Sequence, residues 1–101
     1  MSHHLVHILV SPKLEDAMID WLLAQEPTPV FETSQVQQYG RPLESLTERV
    51  TGFRLQVLFM LQIPALTLNT FLPALEEKFG KEVISYRVLA ISNSHSPWPA
   101  A

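Results

Sequence analysis

The chain has no cysteine, which excludes disulfides and thiolate zinc sites and leaves its redox compartment unmarked. Glycine is scarce, at three residues, and none sits in a glycine-rich loop of the kind that cradles phosphates. Lysine and arginine total seven against ten acids, a formal charge of −3 with no basic run. That balance argues against a nucleic-acid partner. No apolar stretch approaches the roughly 18 residues of a membrane span, so the chain is not expected to be membrane-embedded. Its opening, MSHHLVHILVSP, has histidines where a signal peptide carries basic residues, a short apolar run and no small-residue cleavage site. A cytoplasmic location is the expectation.

What is present is apolar: 47% of 101 residues. That suffices for the core of one domain, read here as residues 1–92, with 93–101 as a flexible proline-containing tail. A chain this short leaves much of its surface uncovered, so oligomerisation is open from the start.

Leu5–Val10 is a continuous, partly β-branched apolar run and reads as a strand buried on both faces. Ser11 and Pro12 then supply an N-cap and a first helical residue. Leu14, Ala17, Met18, Trp21 and Leu22 form a helical stripe opposite Glu15, Asp16 and Asp20, and Pro27 and Pro29 end the helix. Val30–Tyr39 is polar enough for an edge strand. Residues 40–52 read as a loop with one helical turn, in which Leu43, Leu46 and Val50 share a face. From Phe53 to Leu61 every second residue is apolar, the pattern of a third strand. Leu68, Phe71, Leu72, Leu75 and Phe79 are the stripe of a second helix. Pro64 opens this segment, and within it Pro73 is awkward: either Thr70 is the N-cap and Pro73 falls in the first turn, or the helix kinks. Gly80 is the C-cap, and Val83–Ile91 the fourth strand.

The order βαββαβ predicts an α+β, ferredoxin-like sandwich. Its four-stranded antiparallel sheet, ordered 4-1-3-2, carries two helices on one face. If Phe53, Leu55, Val57, Phe59 and Leu61 meet the helices, Leu58 and Met60 look outward. An alternating set from the fourth strand, Ile84, Tyr86 and Val88, is expected beside them. An apolar patch on an uncovered sheet usually marks an interface, here with other copies of the chain.

The βαββαβ order, the loop ending in TGFRLQVLF and the segment IPALTLNTFLPALEEKFGKEV resemble an uncharacterised bacterial family of the PII-like (nitrogen-regulatory-protein-like) superfamily. The likeness spans about Leu5 to Ile91. It implies a homotrimer with sheets facing inward and a small effector, such as a nucleotide, in the clefts between subunits. It also implies a 40–52 loop that reports occupancy to a partner such as a membrane transporter or heavy-metal efflux component. The chain departs from PII in the short Gly80-Lys81-Glu82 connection, where PII has its phosphate loop, and in a shorter 40–52 loop without the modified tyrosine.

Arg41, Arg49 and Arg54, joined by Lys81 and Arg87, could hold a phosphate or carboxylate; the alternative is that the loop arginines pair with Glu44 and Glu48. Arg87, on an apolar strand, is expected to be buried and to need an anion. His3, His4 and His7 suit a divalent metal, which supports the alternative reading, a metal-binding tolerance protein. In an extended strand His3 and His7 share a side and His4 points away. Ser11, Ser34 and Thr47 lack a histidine–acid context, so no enzymatic activity is expected. The functional expectation is a PII-like regulatory or sensor protein; a bare assembly module is the further alternative.

Overall fold

The computed structural model describes residues 3–43 and 45–97. Its elements are β1 (His3–Val10), a 3-10 turn (Pro12–Leu14), α1 (Glu15–Leu23), β2 (Phe31–Gln38), α2 (Leu46–Thr51), β3 (Arg54–Pro64), α3 (Ala65–Phe79) and β4 (Ser85–Ala90). Ser11 caps the first turn as its residue type suggests: the Lys13 N–H donates to its Oγ at 3.2 Å.

Pro73 departs from expectation. α3 runs unbroken through it from Ala65 to Phe79, with Pro64 at the N-cap. Thr70 is not a cap; its hydroxyl donates to the Thr67 carbonyl at 3.0 Å, inside the helix. Proline in a helix interior costs one backbone hydrogen bond. The apolar stripe lies on both sides of the break, with Phe71 and Leu75 buried and Leu68, Leu72 and Phe79 packed against the core. Packing of that stripe outweighs the local preference to start the helix later.

The sheet order is β2-β3-β1-β4 with every pair antiparallel, the order expected from the strand polarities. Register sets the layers. Ile8 faces Phe59 and Val6 faces Leu61, and all four are buried, together with Val10 and Val57. Met18 and Leu22 of α1 and Phe71 and Leu75 of α3 close over this surface. Trp21 joins the two helices, its ring 5.5 Å from Phe71 and 5.8 Å from Phe79. Within α1, Ile19 packs against the core while Ala17, expected in the stripe, is exposed. Both long helices therefore cover one side of the sheet, and among the described residues neither packs on the other, which is screened near the start of β3, where Gln56 is buried.

On the covered side, the Tyr86 hydroxyl of β4 donates to Glu76 Oε2 of α3 at 2.7 Å. The hydrogen bond to Glu76, then burial, then the negative charge of Glu76 raise the phenol above its ordinary 10.0. The unfolded chain therefore gives up this proton first as pH rises. The stabilisation is complete below about pH 10 and is lost as pH climbs through the folded value. Tyr86→Phe is expected to cost about 1 kcal/mol in urea unfolding at neutral pH. The gap between the two proteins should narrow above about pH 11, and an unchanged gap would show that the bond contributes nothing.

Candidate functional site

Because paired residues in a sheet share a face, the register names the residues of the uncovered side, whose three middle rows matter most. Each lateral row crosses all or part of the sheet. One holds Gln62, Leu5 and Leu89; the next Glu32, Met60, His7 and Arg87; the third Ser34, Leu58, Leu9 and Ser85. Its centre is mostly apolar, with Leu5, Leu9, Leu58 and Met60 around His7 on the two inner strands, and its rim is mostly polar, with Leu89 and Val36 the apolar members. Leu58 and Met60 lie where the alternation of β3 places them.

The fourth-strand residues expected beside them do not. Ile84 is buried in the core, Tyr86 packs against it, and Val88 pairs with buried Val6. All three belong to the helix-covered side. β4 is apolar in most positions, so periodicity alone leaves its parity open; pairing with β1 decides it. The outward set is Ser85, Arg87 and Leu89, the last 46% exposed. The polar pair Ser85 and Arg87 was the available signal for that orientation. Arg87 is accordingly exposed, not a buried charge in need of an anion, because its strand is an edge and its side is bare.

The loop after β2 is bounded by Gly40 (φ +88) and Gly52 (φ +84), left-handed positions that favour glycine. Ser45 caps α2 by accepting from the Glu48 N–H at 3.1 Å. Arg54, at the start of β3 and on the open side, donates from Nε to Glu48 Oε1 at 3.2 Å and from Nη2 to the Pro42 carbonyl at 3.4 Å. This pair is well screened from water, with 13% and 21% of the two side chains exposed. Glu44, the other acid considered for these arginines, lies outside the described residues, as do residues 98–101 of the tail.

With Glu48 turned inward, the opposite side of α2 carries Leu46 and Val50, four apart and therefore stacked. They are 77% and 79% exposed. The amphipathic sense of this short helix is inverted: its apolar ridge points away from the domain.

The five cationic candidates do not gather within one chain. Arg41 donates to Gln38 Oε1 at 3.5 Å at the end of β2, and Arg49 is exposed on α2. Lys81 occupies the turn before β4, at the same end of the sheet as Arg41 but at the opposite edge. Three strand spacings, roughly 14 Å, separate those edges. Arg87 stands midway along β4.

The histidines also divide. His7 is on the open side beside Met60 and Arg87, His3 pairs with Pro64, and His4 lies between Ile63 and Ala90 on the covered side. Nε2 of His3 and Nδ1 of His4 are buried without a hydrogen-bond partner. Among the described residues no group of three potential ligands is arranged to hold a metal ion.

Sequence reasoning missed a cleft of about 230 Å³ between the α1–β2 connection and the first half of α3. It is lined by Pro27, Pro29, Ile63, Pro64 and Phe71, with Glu26 and Thr70 among its polar groups. No motif marks it, since it forms where segments distant in sequence meet. It falls below the usual range of small-ligand pockets, about 300–1,000 Å³.

No helix among the described residues is long and apolar enough to cross a membrane. No curated protein matches the chain. Among solved structures it is similar to a DUF3240 family protein from Shewanella baltica OS155, at 18% identity and a TM-score of 0.75, covering 95% of this chain and 97% of that one. At that identity the likeness concerns the fold. The family model for DUF3240, a protein family of unknown function, matches residues 1–96, and the chain belongs to this family.

Proposed function

We propose that this chain is a non-enzymatic regulatory or sensor protein of the PII-like kind, built on a ferredoxin-like sandwich and assembled as a homotrimer through the open face of its sheet. The observation that carries this reading is the uncovered apolar centre of Leu5, Leu9, Leu58 and Met60 on the two inner strands. A bare sheet face of this composition is stabilised by burial against a partner, and a chain of 101 residues leaves much of its surface uncovered.

Assembly would also give the scattered cations a purpose. A rotation axis along the strands brings the β4 edge of one copy to the β2 edge of the next. Lys81 of the first copy then approaches Arg41 and Arg49 of the second, at the same end of both sheets. Such a cleft suits a small anion, phosphate or nucleotide, held by charge-assisted hydrogen bonds. The 40–52 loop, set between its two glycines and presenting Leu46 and Val50, is the element that would report occupancy to a transporter or efflux partner.

Sedimentation equilibrium of the wild-type protein is expected to give a trimer. Leu58→Glu and Met60→Glu should each yield a folded monomer, because an unpaired carboxylate in an apolar contact is strongly unfavourable. A monomeric wild-type protein would overturn the reading. Ligand occupancy has its own measurement. Titration calorimetry with ATP and with inorganic phosphate should detect binding to the trimer that Lys81→Ala weakens by about tenfold, the equivalent of one charge-assisted hydrogen bond. Equal affinity in both proteins would remove Lys81 from the site.

A further inference from the structure

The row that crosses the middle of the open face ends in opposite charges. Glu32 stands on the β2 edge and Arg87 on the β4 edge, with Met60 and His7 between them. Both end residues are exposed. Within one chain three strand spacings, roughly 14 Å, lie between their backbones, too far for a direct ion pair across Met60 and His7. Neither side chain makes an ion pair or hydrogen bond among the described residues.

We propose that Glu32 of one copy and Arg87 of the next form the ion pair that closes each seam between neighbouring sheets. This rests on the assembly proposed above and adds what sets its register. Rotation about an axis along the strands changes no height along that axis. Residues of one lateral row therefore remain level with the same row of every other copy. When the β4 edge of one sheet meets the β2 edge of the next, the residues brought level in this row are an arginine and a glutamate.

Sliding one copy by one row would set Arg87 against Ser34, and inverting a copy would set like edges together, with Arg87 beside Arg87. The pair thus selects both the height and the polarity of the packing, while the leucines supply non-directional burial. Its opposite charges belong to one chain, so every seam of a closed ring is satisfied identically and none is left over. That self-complementarity fits a second copy of this chain as the occupant of the face.

The test is a charge exchange read by sedimentation equilibrium, with circular dichroism melting to confirm that each variant folds. Glu32→Arg and Arg87→Glu should each raise the concentration at which the trimer half-dissociates by about tenfold or more, because every seam acquires a like-charge pair. The double variant, Glu32→Arg with Arg87→Glu, should return to within about threefold of wild type, since independent losses would add. The neutral variants Glu32→Gln and Arg87→Gln should fall between, and should lose most of the salt sensitivity of the wild-type assembly. A trimeric wild type whose single exchanges assemble normally, or whose double variant is weaker than either single one, would overturn the seam pair and leave the trimer standing. A monomeric wild type would overturn both.

Discussion

The antiparallel pairing of β1 with β3 is the contact on which the rest of the molecule depends. Ile8 opposite Phe59 and Val6 opposite Leu61 put four apolar side chains under α1 and α3. A slip of one residue would send that whole set to the other face. With the register as it is, Met18, Leu22, Phe71 and Leu75 find a continuous apolar surface, and the strands alternate cleanly between covered and bare sides. The same pairing places Leu5 and Leu9 beside Leu58 and Met60, so the bare side has an apolar centre. Core and candidate interface are two outcomes of one register.

Two elements show how far packing outweighs local preference. α3 continues through Pro73 because its buried stripe extends on both sides of it. α2 instead turns its polar side inward, where Arg54 binds Glu48, and leaves Leu46 and Val50 in water. The first is a local cost offset by burial within the domain. The second is not offset within the domain, which is why the loop is assigned a role outside it.

Function on this fold follows from surfaces more than from a constellation of reactive groups. The cations are spread over α2, β3 and the two edges of the sheet and the histidines lie on two faces, so neither set gathers inside one chain. In the proposed assembly a symmetric neighbour would make edges adjacent. The charged rim would then carry direction and the apolar centre affinity, a division of labour general to protein interfaces.

Local pattern alone settled the elements, the order of the strands, the stripe of α3, most of that of α1 and the outward placing of Leu58 and Met60. Each of these depends on a local period of 2 or 3.6, or on strand polarity, and such patterns are written along the chain. Tertiary structure decided the parity of β4, which moved Ile84, Tyr86 and Val88 under the helices and left Arg87 exposed. It also decided the inverted sense of α2 and the cleft beside α3. The physical reason is common to them all. A period states that a segment has two sides, but which side is covered depends on partners that arrive from elsewhere in the sequence.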